Sequence, residues 1–313
     1  MRLSHRQMNF DDLPFIAPER MMSSGGADMG QINIERFAGR EANVNAYIVH
    51  NATHAVVIDS LRNREEAAEL AQTIRKSGRR LQAIFVTHGH PDHYVGSRTL
   101  KEAFPGARIL VASEAIKADT LGFSKWMDSV GWLDKQPQMK PRSDAAPEGF
   151  DYGGQIEVLG DDCLVLEGGG VLEVRADYPA TESGHMSTLF VPGENALLTS
   201  DLVYHGVHAW AGQGVLREHI ANWVTVLGDL KARYSSPDVR VFPGHGAPSD
   251  PTLFDRMRVY LDDFVSAVTS EPTNAVALER MKRLYPGYEQ EGFLLAQSIA
   301  FHGADGRAQK SAA

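Results

Sequence analysis

Short apolar runs punctuated by turn residues recur along this chain. Residues 32–37, 44–49 and 55–58 read as three successive strands. Residues 65–76 carry Ala68, Leu70, Ala71 and Ile74 at helical spacing. Residues 81–86 form a short, mostly apolar run of the kind a buried strand shows. A helix is expected to start near Tyr94, and 108–111 reads as a further strand. Strand-like runs return at 156–159, 163–166, 171–174, 188–191 and 196–198, and again at 238–242. Helical spacing covers 218–234, 252–268 and much of 274–301. Strands in two groups, each accompanied by helices, predict an α/β fold built as a four-layer αββα sandwich rather than two independent domains.

The pattern weakens in three places. Residues 1–30 have no clear periodicity and read as an N-terminal arm. Residues 31–270 form the layered domain, and 271–313 a C-terminal helical extension with a frayed end from 304. Within the domain, 113–152 is irregular, with Trp126, Met127, Trp132 and Met139 among Pro137, Pro141 and Pro147. Two readings stay open for it: a lid-like insertion over a site, or a surface excursion packed by its own aromatics.

The chain has 313 residues, 43% hydrophobic and 23% charged, with 31 basic against 40 acidic side chains and a formal charge of −9. That balance argues against nucleic acid or an anionic membrane as a partner, since both need basic patches. It leaves room for a site whose positive charge comes from bound metal ions. Cys163 is the one cysteine, so no intramolecular disulfide forms, and its apolar neighbours make it a small packing residue. The first ten residues carry charge but no apolar run. No secretory signal is expected there, and no run approaches the ~20 apolar residues that would span a bilayer. The expected location is the cytoplasm.

Chemistry concentrates in Thr87-His88-Gly89-His90-Pro91-Asp92-His93. Three imidazoles and a carboxylate follow directly on an apolar strand, and these are the donors that zinc and related divalent ions take. Three later groups also sit at strand ends or glycine turns: His185 in Gly184-His185, Asp201 in Ser200-Asp201, and His245 in Gly244-His245. Each alone has an ordinary explanation as a cap or turn residue. Together they recur where loop-borne catalytic residues accumulate.

In this order and spacing the motifs resemble the metallo-β-lactamase superfamily, and Asp59 in Val57-Ile58-Asp59-Ser60 matches the acidic turn that precedes the main motif there. The resemblance runs from about residue 32 to 268. It implies a metallo-β-lactamase sandwich and a two-ion centre. His88, His90 and His185 would hold one ion, Asp92, His93 and His245 the other, and Asp201 would bridge them. Zinc is the default, with iron, manganese or cobalt as alternatives. A shared water or hydroxide would be the nucleophile. Asp92 would help orient it, and Asp59 would accept a ligand imidazole N–H.

The superfamily hosts many reactions, so the fold does not choose the substrate. An aspartate at 201 departs from the β-lactamases that use a cysteine there, and fits the glyoxalase II, lactonase and phosphodiesterase branches better. Tyr204, three residues after Asp201, resembles the N-acyl homoserine lactone lactonases, where a phenol steadies the opening ring. A tyrosine packed at a strand edge explains the same residue equally well. His205 and His208 are further polar candidates at the same rim. Trp126, Trp132, Trp210 and Trp223 are candidates for an apolar pocket wall, with core packing the commoner use. Arg280, Lys282 and Arg283 do not match a glutathione-gripping pattern. The expectation is therefore a dinuclear hydrolase of a small ester, a lactone first, with thioester, phosphodiester or β-lactam hydrolysis as alternatives on the same centre. A mono-iron sulfur dioxygenase would use only part of this ligand set. A non-catalytic metal-binding sensor would not need all of it. A homodimer stays open.

Overall fold

The computed structural model describes residues 31–304. The arm expected over 1–30 and the frayed end beyond 304 lie outside them. One six-stranded sheet holds β1 (Asn33–Ala38), β2 (Asn45–His50), β3 (His54–Ile58), β4 (Arg80–Phe85), β5 (Arg108–Val111) and β6 (Ile156–Val158) in chain order. Strands β1 to β3 pair antiparallel, and β3 to β6 parallel. The second sheet holds β7 (Cys163–Val165), β8 (Val171–Arg175), β9 (Thr188–Val191), β10 (Ala196–His205) and β11 (Arg240–Gly246) in the order β11-β10-β9-β8-β7.

Period-two burial explains the layering. In β2, Ala46 and Ile48 face one core, while Tyr47 and Val49 face another. In β3, Ala55 and Val57 join the first, and Val56 and Ile58 the second. The second of these cores lies between the sheets, where Tyr47, Phe85 and Leu110 meet Leu172, Leu189, Leu198 and Phe242. The first is covered by α1 (Arg64–Lys76), α2 (Pro91–Tyr94), α3 (Ser97–Ala103) and α4 (Glu114–Ser129), through side chains such as Leu70, Ile74, Leu100 and Ile116. A short α5 (Tyr152–Gln155) adds Tyr152 to it. On the far side, α6 (Arg217–Arg233), α7 (Thr252–Ser270), α8 (Asn274–Leu284) and α9 (Ala296–His302) cover the second sheet with Trp223, Leu227, Phe254, Phe264, Met281 and Ile299. Helix, sheet, sheet and helix make the four layers expected. No helix among the described residues is long and apolar enough to cross a membrane.

Local chemistry sets several boundaries. Asn63 caps α1 by accepting from the Glu66 N–H, Ser113 caps α4 by accepting from Ile116, and Thr273 caps α8 by accepting from Val276. Acidic Glu65 and Glu66 open α1 and basic Arg75 and Lys76 close it, matching the helix dipole.

Two strands run further than their apolar runs predict. Strand β10 continues past Leu198 to His205, and β11 past Phe242 to Gly246, pairing in parallel with register shifts around Ser200. Asp201 and His245 thus lie within strands, not just after them. Met127, Met139 and Phe150 of the irregular stretch 113–152 are buried in the core under α4, while Trp126 and Trp132 stay exposed.

Candidate metal centre

The histidine cluster hangs from the end of β4, and two further loops brace it. Asp59, at the end of β3, adopts a left-handed backbone with φ 62°. Its N–H donates to Phe85 O (2.8 Å), and Ser60 donates both its N–H and its hydroxyl to His93 O (2.9 and 3.0 Å). Pro91 starts α2, where its fixed φ suits the first helical position. This short helix lifts Asp92 and His93 toward the second sheet. There the bulged part of β10 presents Asp201 beside His245 of β11. Gly244 makes that approach feasible, because a Cβ there would fall 1.8 Å from Asp201 Oδ1.

Three sets of donor atoms converge: His88, His90 and Glu182; His88, His93 and Asp201; and Asp92, His93 and His245. Within each set the ligand atoms lie within 4.8 Å of one another. Asp201 shares its set with His88 of the first and His93 of the third, and its Oδ1 lies 3.3 Å from His93 Nε2 and its Oδ2 3.2 Å from His245 Nε2. Asp92 Oδ2 lies 3.5 Å from the same His245 nitrogen.

The outward nitrogens of three of the four clustered imidazoles are occupied. His93 Nδ1–H donates to Asp59 Oδ2 (2.7 Å) and His245 Nδ1–H to Ala42 O (2.8 Å). His88 Nδ1 lies 3.2 Å from the hydroxyls of both Thr87 and Ser200. Thr87 in turn donates its N–H and hydroxyl to Asp59. The inward atoms are left over. His88 Nε2, His93 Nε2, Asp201 Oδ1 and both oxygens of Glu182 are buried without an aligned hydrogen-bond partner. Buried polar atoms without partners are costly. Cations held among these donor sets would satisfy them, so these residues fit divalent ions.

Burial and charge set the protonation states. Burial, reinforced by His93 and His90, depresses the His88 imidazole well below its ordinary range. Burial also works against charge on His93, but Asp201, Asp59 and Asp92 outweigh it and hold that imidazole well above its usual range. Asp201 stays well below the usual carboxylate range. Burial opposes its ionisation there, and His245 and His93 override it. Burial pushes the Glu182 carboxyl up to about 7 against the pull of His90.

One expected ligand is not where the motif put it. The His185 side chain is 51% exposed, and its Nδ1 lies 2.9 Å from Asp119 Oδ2 of α4, away from the donor sets. The reason is a long-range pairing. Met186 pairs with His88 as an isolated bridge and is buried, so its neighbour at 185 faces outward. Beside the two histidines lies Glu182, with Oε1 2.8 Å from His90 Nδ1 and Oε2 3.5 Å from His88 Nε2. An acidic residue two positions before a Gly-His pair gave no signal by itself.

Tyr204 does reach the centre. Its hydroxyl donates to Asp201 Oδ2 (2.5 Å), and its ring stacks on His245 at 4.7 Å and 10°. Burial and Asp201 push its phenol well above the ordinary range. His205 instead contacts Ala247 O (2.7 Å), and His208 is buried against Tyr260, its Nδ1 3.1 Å from the phenol. Trp223 is a core residue whose indole donates to Leu202 O (2.9 Å), and it backs Tyr204 at 6.4 Å between centroids. Trp210 is half-buried beside Phe293. The other two tryptophans form a ladder out of the site. Phe123 meets His90 edge-on at 5.1 Å, Trp126 meets Phe123 at 6.1 Å, and Trp132 meets Trp126 at 5.1 Å. Cys163 is half-buried on β7, far from this chemistry in the fold.

Comparison with known proteins agrees with this geometry. Residues 39–245 match the family described as the Metallo-beta-lactamase superfamily. A hydroxyacylglutathione hydrolase of Francisella tularensis subsp. novicida (strain U112) is 34% identical over 68 residues, 22% of this chain and 25% of that protein. Hydroxyacylglutathione hydrolase 1 of Vibrio vulnificus (strain YJ016) is 37% identical over 65 residues, 21% of this chain and 25% of that protein. The chain thus aligns with about a quarter of the length of these relatives. Among solved structures, the metallo-β-lactamase FIM-1 from Pseudomonas aeruginosa in its mono-zinc form superposes with a TM-score of 0.50 at 13% identity, over 74% of this chain and 90% of that one. At that identity the likeness is one of fold.

Proposed function

The chain belongs to the metallo-β-lactamase superfamily, and on that premise we propose that it is a two-ion, metal-dependent hydrolase of small carboxylic esters, lactones first. The observation that carries this reading is Asp201. It groups with His88, a member of one further donor set, and His93, a member of the other, and it accepts a hydrogen bond from the Tyr204 phenol.

Divalent ions held by these side chains supply Lewis acidity toward a substrate carbonyl and lower the pKa of a water toward ~7. The chain's own groups do the rest. Burial keeps His88 neutral, so its Nε2 lone pair stays available as a ligand. Asp59 and Ala42 fix the rings of His93 and His245 through their outward N–H groups. Asp92 and Asp201 present carboxylate oxygens on the same side as His245 Nε2. Tyr204 holds a proton on its hydroxyl beside Asp201, where it can be donated to an oxygen gaining charge as the ester opens. The ladder of Phe123, Trp126 and Trp132 leads outward from His90 and suits an apolar acyl group.

A thioester of glutathione is the second reading, supported by the short matches to hydroxyacylglutathione hydrolases. A hydrolysis panel separates them: γ- and δ-lactones of graded chain length, an aryl ester, a glutathione thioester, a phosphodiester and a β-lactam. The proposal expects the highest kcat/KM on a lactone. Turnover confined to the thioester would replace the lactone with the second reading.

A further inference from the structure

We propose that Glu182, and not His185, completes the ligand set of the ion held by His88 and His90, giving a centre of four histidines and three carboxylates biased toward harder ions than zinc. The inference rests on the two-ion reading above.

Four observations carry it. The Glu182 side chain is fully buried, and its two oxygens address two different histidines, His90 at 2.8 Å and His88 at 3.5 Å. Despite that proximity, neither oxygen has an aligned hydrogen bond, and nor does His88 Nε2. One ligand atom from each of Glu182, His88 and His90 lies within 4.8 Å of the others, close enough to share a single ion. The segment is fixed in this orientation: Thr181 donates to Ser183 O (2.9 Å), and Ser187 donates its N–H and hydroxyl to Thr87 O (3.0 and 2.8 Å). Finally, His185 is half exposed, and its Nδ1 is engaged by Asp119.

The chemical consequence is a change of ligand class. Two histidines and one carboxylate form a site with more oxygen character than three histidines, and oxygen ligands suit manganese and iron better than a purely nitrogen set does. Charge changes as well. Two divalent ions against Glu182, Asp92 and Asp201 leave one net positive charge, where a histidine at 182 would leave two. The His185–Asp119 contact then joins the loop bearing Glu182 to α4, which also carries Phe123 against His90.

The test is elemental analysis and equilibrium dialysis of wild type, Glu182→Gln, Glu182→His and His185→Ala, each loaded in parallel with zinc and manganese, with the cobalt-substituted visible spectrum as an independent readout. Glu182→Gln is expected to lose one ion per chain and keep the other. The affinity loss should be at least the ~10–100-fold that outer partners of a ligand are worth. His185→Ala is expected to keep both ions. Glu182→His should bind zinc again, with the zinc-to-manganese affinity ratio raised about tenfold or more over wild type. Loss of an ion in His185→Ala with both retained in Glu182→Gln would overturn the assignment. An unchanged metal ratio in Glu182→His would overturn the claimed bias. If wild type takes up only one ion, the two-ion reading fails by itself. Glu182 is then decided by whether its glutamine variant releases that ion, and retention there sinks the proposal.

Discussion

The Asp59 carboxylate accepts the Nδ1–H of His93 at 2.7 Å, from a residue whose left-handed backbone carries it under the histidine cluster. The same carboxylate accepts from Thr87, the residue just before His88. One acidic side chain thus orients both halves of the HxHxDH loop. Asp59→Ala should weaken metal retention roughly 10–100-fold, the usual worth of such a partner. Competition against a chromophoric chelator measures it, and unchanged retention would show that Asp59 only shapes the turn.

Tyr204 donates its hydroxyl to Asp201 Oδ2 and stacks its ring on His245. Tyr204→Phe should keep full metal content and the stacked ring. Its kcat on lactones should fall roughly 100-fold, at the low end of what a positioned acid contributes, with KM little changed. A fall in metal content with kcat per bound ion intact would assign the phenol to structure instead.

Gly244 has no room for a side chain, since an added Cβ would meet Asp201 Oδ1 at 1.8 Å. Gly244→Ala must push β10 and β11 apart or displace Asp201. Such overpacking costs typically about 1–3 kcal/mol, and a drop in bound metal should accompany it. A thermal melt and an elemental assay on one sample check both. A variant with wild-type values for each would mean the two strands separate freely at this point.

His208 offers a pH effect apart from the metal ligands. Burial, partly offset by Glu291, lowers its imidazole to about 4. The unfolded chain binds a proton there below ~6.5. Between about 6.5 and 4 the unfolded state therefore holds more protons than the native state, and stability falls as pH falls through that window. Above it the contribution is fully present. His208→Phe should flatten this slope, so that the wild-type disadvantage between pH 7 and pH 4.5 shrinks by on the order of 2 kcal/mol. Denaturant midpoints at the two pH values give the comparison, and parallel slopes for both proteins would refute it.

Much of this was legible in the sequence for a physical reason. Strands β2, β3 and β4 are buried on both faces, so they announce themselves as apolar runs, and His88, His90, Asp92 and His93 follow the last of them in one short stretch. The extensions of β10 and β11 were not legible, because Ser200, Asp201, Gly244 and His245 are polar or glycine residues that pair only where a site needs them. Glu182 was hidden for a related reason. Which of residues 182 and 185 faces inward is decided by the pairing of Met186 with His88 across nearly a hundred residues, and local sequence carries no trace of that contact.

The central claim is a two-ion hydrolytic centre, and one titration tests it most directly. Metal-stripped protein is titrated with a divalent ion while hydrolysis of a lactone, a thioester and a phosphodiester is followed. Activity on a lactone that rises and levels off at two ions per chain is the predicted result. Saturation at one ion, or no hydrolysis of any substrate at two, would contradict it.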